Sequence, residues 1–84
     1  MYRIVVYPEA ADQIAALPAE ALHSYAEVLG ALELAPWNGP PLHEDNPEGA
    51  VCRWDFGPGH AGQAIYLVLE ERQEVHVMLV QWLG

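Results

Sequence analysis

The sequence predicts an α+β domain, a small β-α-α-β-β-β chain in which an antiparallel sheet packs on a two-helix hairpin. Three observations carry that expectation. A run of β-branched and aromatic residues, Tyr2-Arg3-Ile4-Val5-Val6-Tyr7, opens the chain. Two stretches with apolar residues at helical spacing follow it, each introduced by a proline. The last third then holds three strand-like runs joined by short connections. With 84 residues and no internal repeat, the chain reads as one domain over residues 1–84.

The elements follow in order. Pro8 ends the first strand and suits the first turn of a helix, where its missing N–H costs nothing. Glu9 and Asp12 then complement the positive end of the helix dipole. Ala10, Ala11, Ile14 and Leu17 form the apolar face of this helix. Pro18 breaks it and opens a second, expected from about Ala19 to Leu34, with Leu22, Tyr25, Ala26, Leu29 and Leu32 as its stripe. Residues 36–49 are rich in prolines and turn formers and read as a long loop. Its His43, Glu44 and Asp45 read as solvated acidic loop, because adjacent residues seldom converge on one ion; no metal and no cofactor is expected. The strands Val51–Phe56, Ala64–Leu69 and Val75–Val80 complete the sheet as two antiparallel hairpins. Gly57-Pro58-Gly59 links strand to strand rather than opening a helix, so it does not match a phosphate-cradling loop.

Charge narrows the function. Arg3, Arg53 and Arg72 face twelve acidic residues, giving a formal net charge of −9 at pH 7. Such a field repels phosphate backbones, so strong nonspecific binding to nucleic acid is not expected, whereas a basic partner would be attracted. The same acidity serves solubility in a chain that is 52% hydrophobic. No basic leader with an apolar core opens the sequence, and no apolar run reaches membrane-spanning length; the expected home is the cytoplasm. The lone Cys52 excludes an internal disulfide and sits in an apolar strand, as a small buried hydrophobe would.

Together the Tyr7-Pro8-Glu9-Ala10 exit, the Leu-rich helical pair and the carboxy-terminal pattern resemble the RelE/ParE superfamily of toxin–antitoxin toxins. That pattern is Leu42, Gly49, Arg53, a turn, Ala64-Ile65-Tyr66-Leu67-Val68, an acidic turn and Val75-His76-Val77-Met78-Leu79-Val80. The resemblance implies a toxin, in some members a ribosome-dependent endoribonuclease that cleaves messenger RNA by attack of the ribose 2′-hydroxyl on the adjacent phosphate. It also implies an antitoxin partner. Carried over residue by residue, the matched catalytic positions are Arg53, Asp55 and Gln63; relatives that use a histidine and a carboxylate add His60, beside Asp55, as the fourth candidate. Asp55 and Gln63 stand where the family carries basic residues, and Gln81-Trp82-Leu83-Gly84 replaces a basic or His-containing tail. A base, an acid and cationic stabilisation are required, and Arg53 is the one cation left at a matched position. The implied site is therefore weak or degenerate. His76, in a strand, is a second histidine that could serve beside Asp55.

Strand alternation assigns Ala64, Tyr66 and Val68 to the helix side, with Tyr66 in the core, and leaves Ile65, Leu67, Val77 and Leu79 on the other face. Two short helices cover one face only, so this second apolar face is expected to meet an antitoxin or another copy of the chain. Two readings of different class remain open: a toxin with weak endoribonuclease activity, and a catalytically inactive protein-binding module acting through antitoxin, gyrase-like or self association.

Overall fold

A computed structural model describes residues 1–38 and 51–83. Within them the order is β1 (Arg3–Val6), α1 (Pro8–Ala15), α2 (Ala19–Leu34), β2 (Val51–Phe56), β3 (Gly62–Leu69) and β4 (Glu74–Trp82), with single 3-10 turns at Pro36–Asn38, Pro58–His60 and Glu70–Arg72. The expected loop beyond Asn38, with His43, Glu44, Asp45, Leu42 and Gly49, lies outside the described residues.

Both helices begin as their prolines require. Tyr7 is extended before Pro8, and Pro18 is itself the extended cap of α2. Glu9 and Glu20 occupy the first turns, where their charge is favourable.

The strands form one four-stranded sheet in the order β1-β4-β3-β2. β3 pairs antiparallel with β2 and with β4, as the two hairpins require. The expected antiparallel arrangement stops there, because β1 pairs parallel with β4. The helical pair between β1 and β2 acts as a crossover that returns the chain in its original direction. Two hairpins then leave β4 pointing the same way as β2, and so along β1.

The core is the layer between the sheet and both helices. Ala10, Tyr25, Val28 and Leu32 from the helices meet Cys52, Phe56, Ala64, Tyr66, Val68, Val75, Val77 and Val80 from the strands. Burial alternates without a break along β3, with Ala64, Tyr66 and Val68 inside. The stripe of α2 differs from the expected one: Ala21, Tyr25, Val28 and Leu32 are buried, whereas Ala26 and Leu22 face out. Apolar residues lie almost all round this helix, so its own pattern leaves the face open. Contacts such as Tyr25 on Phe56, centroids 5.9 Å apart, settle it. Likewise Ile4 packs on the core but Val6, at the end of an edge strand, is exposed.

One irregularity decides which residues the free face carries. Ile65 pairs with Leu79, but its neighbour Tyr66 pairs with Val77, which leaves Met78 as the extra residue of a β-bulge. Strict alternation would put Val77 and Leu79 on one face. The bulge separates them: Val77 is fully buried beneath the helices, and the expectation that it lies on the partner-facing surface is corrected. Beyond the last residue paired with β1, the edge of β4 is met by α1, whose Gln13 Oε1 accepts a hydrogen bond from the Val80 N–H at 2.7 Å.

Candidate functional site

The side of the sheet away from the helices is the candidate site. β2 contributes Arg53 and Asp55, which pair across to Ile65 and Gln63 of β3. β4 continues the surface, Gln81 opposite Gln63, Leu79 opposite Ile65 and His76 opposite Leu67. Ile65, Leu67 and Leu79 are half-buried there, a short apolar band with polar groups at either end.

Three of the four residues carried over as catalytic come together at one end. Arg53 Nε lies 3.3 Å from Asp55 Oδ1, with the two side chains 43% and 29% exposed. Neither atom completes a hydrogen bond among the described residues, so this is a charge contact with imperfect geometry. Gln63 sits directly across from Asp55. His60 does not join them by any hydrogen bond or ion pair among the described residues. It is exposed in the 3-10 turn, with φ +56°. The pair neutralises the single cation at this end, which leaves little free positive charge for a phosphate.

The other end carries a connected network that sequence reasoning missed except for His76, which stands with Glu74 rather than beside Asp55. Tyr7 Oη lies 3.0 Å from His76 Nδ1. His76 Nε2 lies 2.9 Å from Glu74 Oε1, and the second Glu74 oxygen takes the Arg3 guanidinium. Glu74 and His76 are only 12% and 15% exposed, whereas Arg3 is 74% exposed. The His76 hydrogen bond, helped by the Arg3 contact and opposed by desolvation, holds the Glu74 carboxyl below its ordinary pKa of 4.5. Parallel pairing of Arg3 with Glu74 and Val5 with His76 brings the two ends of the chain together. The sequence carries no marker of that register; the run of an acidic residue, one apolar residue and a histidine was the only local hint.

A third polar cluster ties the connections together. Glu70 accepts from the Tyr2 hydroxyl at 2.5 Å and from Trp37 Nε1 at 2.9 Å. The Tyr2–Glu70 hydrogen bond is the largest cause both of a lowered Glu70 pKa, which the Trp37 contact lowers further, and of a raised Tyr2 pKa. Deeper in, Tyr66 donates to the Pro36 carbonyl at 2.6 Å, and burial pushes the Cys52 thiol up. The role of Tyr66 is structural.

No protein-family model matches the chain, and neither does any curated protein. Solved structures do match. The isolated RelE toxin of E. coli superposes with a TM-score of 0.81 at 14% identity, over 100% of this chain and 86% of that one. The RelBE2 toxin–antitoxin complex from Mycobacterium tuberculosis gives 0.77 at 20% identity, over 96% of each chain. The archaeal RelE–RelB complex from Pyrococcus horikoshii gives 0.65 at 16% identity, over 99% and 96%. Agreement this complete at such low identity is agreement of backbone, built from different side chains. The chain has the fold of the RelE toxins.

Proposed function

We propose that this chain is a divergent toxin of a toxin–antitoxin module, with a weak messenger RNA endoribonuclease activity and with its open sheet face covered by an antitoxin. The observation that carries the reading is the half-buried band of Ile65, Leu67 and Leu79 on the face that the helices leave uncovered. A contiguous apolar face of this kind is normally an interface. Two of the similar structures are complexes of a toxin with its antitoxin.

The test is induced expression of the chain alone in a bacterial host, scored for growth arrest and for cleavage mapped on translating messenger RNA. Co-expression of the product of an adjacent small reading frame should relieve the arrest. Normal growth at high expression would refute the reading. A second reading, a binding module without catalysis, has its own support in the Arg53–Asp55 pair, which ties up the one cation at a matched position. Arrest without cleavage would decide for it.

A further inference from the structure

Tyr7, His76, Glu74 and Arg3 have contacts that fix the protonation pattern of the imidazole. The Glu74 carboxylate can only accept, so His76 Nε2 carries the proton and donates to it. In the neutral ring Nδ1 then holds a lone pair, and the Tyr7 hydroxyl donates into it. A hydroxyl, an imidazole and an orienting carboxylate thus stand in series. That order is the one by which a base activates a hydroxyl for chemistry. The Tyr7 and His76 rings meet edge-on with centroids 5.5 Å apart, and Glu74 spends its two oxygens separately on His76 and Arg3. The cross-strand neighbours of His76 on either side are Val5 and Leu67, so among the described residues Tyr7, Glu74 and, through Glu74, Arg3 are the polar groups bearing on it. Arg3 is the most exposed member, and its contact is with Glu74. This end of the face combines a proton acceptor and a relay, whereas the Arg53 end shows no base held by hydrogen bonds among the described residues.

We propose that Tyr7, His76 and Glu74, the last held by Arg3, form an acid–base triad that cleaves single-stranded RNA at the Tyr7 end of the sheet face. The proposal rests on the endoribonuclease reading and assigns its base. The ribose 2′-hydroxyl gives its proton to Tyr7 Oη while Tyr7 passes its own proton to His76 Nδ1. The 2′-oxygen bonds to phosphorus, and the bond from phosphorus to the 5′-oxygen breaks. Water protonates the leaving oxygen, and the resulting hydroxide takes the extra proton from His76. The products are a 2′,3′-cyclic phosphate and a 5′-hydroxyl. Glu74 steadies the transient imidazolium, and Arg3 holds the Glu74 carboxylate in place.

Cleavage is measured on translating ribosomes with the wild-type chain, Tyr7→Phe, Glu74→Gln and Arg53→Ala, with thermal melting of each as a control on folding. Tyr7→Phe keeps the ring contact and deletes only the relay oxygen, so it should lower cleavage on the order of 100-fold or more. Glu74→Gln leaves an acceptor for His76 but removes the charge. It should lower the rate and displace the rising limb of the pH–rate profile, a change that a merely structural clamp would not produce. A 2′-O-methyl substrate should be inert. Wild-type cleavage that survives Tyr7→Phe, or is lost only in Arg53→Ala, overturns the triad and leaves the endoribonuclease reading standing. Absence of cleavage by the wild type across the pH range overturns both.

Discussion

The β-bulge at Met78 makes a prediction that needs no partner and no substrate. Val77 and Leu67 are both aliphatic strand residues, and simple alternation would place both on the open face. The bulge instead buries Val77 completely and leaves Leu67 half-exposed. Val77→Asp should forfeit about 1.5–3 kcal/mol of apolar burial. It also places an unpaired charge among Tyr66, Val75 and other core side chains, a further cost of about 3–5 kcal/mol. A domain of this length holds roughly 4–13 kcal/mol in all, so the variant should be largely unfolded in water. Leu67→Asp should cost the isolated chain about 1 kcal/mol or less, while strongly weakening any complex that covers the face. The assay is urea denaturation followed by tryptophan fluorescence, with Trp54 and Trp82 both packed against the core. A Val77→Asp chain that unfolds at the wild-type midpoint, or a Leu67→Asp chain that fails to fold, would refute the bulged register.

Gly62→Ala should destabilise by about 1–3 kcal/mol, because a Cβ there would stand 2.4 Å from the Phe56 ring; a shift in denaturation midpoint reads it directly. Tyr25 is buried with no hydrogen-bond partner for its hydroxyl among the described residues, and burial raises its pKa to about 12. Tyr25→Phe should therefore be neutral or stabilising at pH 7. It should also flatten the loss of stability in alkali, since a group whose folded pKa is raised stabilises below its unfolded value and loses that contribution as pH climbs. In acid the sign reverses. Glu70 and Glu74 have folded pKa values below the ordinary 4.5, so their contribution is present near neutrality and lost as pH falls through the lowered values. The melting temperature of the wild type should drop more steeply below about pH 5 than that of a Glu70→Gln, Glu74→Gln double variant.

Local chemistry announced most of the fold. Pro8 and Pro18 marked both helix starts because a proline at the head of a helix is tolerated and its interior is not. Unbroken alternation in β3 placed Tyr66 inside and Ile65 and Leu67 outside. What escaped the sequence is whatever depends on pairing at a distance. The parallel register of β1 on β4 is set by the crossover through the helices, and with it came the Tyr7–His76–Glu74–Arg3 network. The bulge is one residue in one strand, invisible to a period of two, yet it moved Val77 from the expected surface to the core. Of the carried-over site, Arg53, Asp55 and Gln63 were legible as one group because a hairpin fixes their register. His60 depends on the turn between them, where a positive φ sets its position.

The net charge of −9 suggests a surface hostile to RNA, but the charge is not spread evenly. Two of the three arginines stand on the sheet: Arg3 against Glu74, and Arg53 against Asp55. That surface is locally balanced. Exposed Glu9, Asp12, Glu20 and Glu27 belong to the helices on the opposite side of the core, where His23 beside Glu27 is the one basic-type contact among the described residues. A helix stacked on a sheet puts those carboxylates about one Debye length, roughly 8 Å at physiological salt, or more from the open face, so ionic screening mutes them there. Two consequences follow for how the molecule meets other molecules. A partner on the sheet face need not be basic overall, since apolar contact with Ile65, Leu67 and Leu79 would dominate and the paired charges would sit at the rim. A phosphate approaching Arg3 meets a neutralised Glu74 rather than the bulk negative field. Among the described residues, the helix carboxylates therefore bear most on approach from the helix side, where they keep that surface solvated, and less on the sheet face.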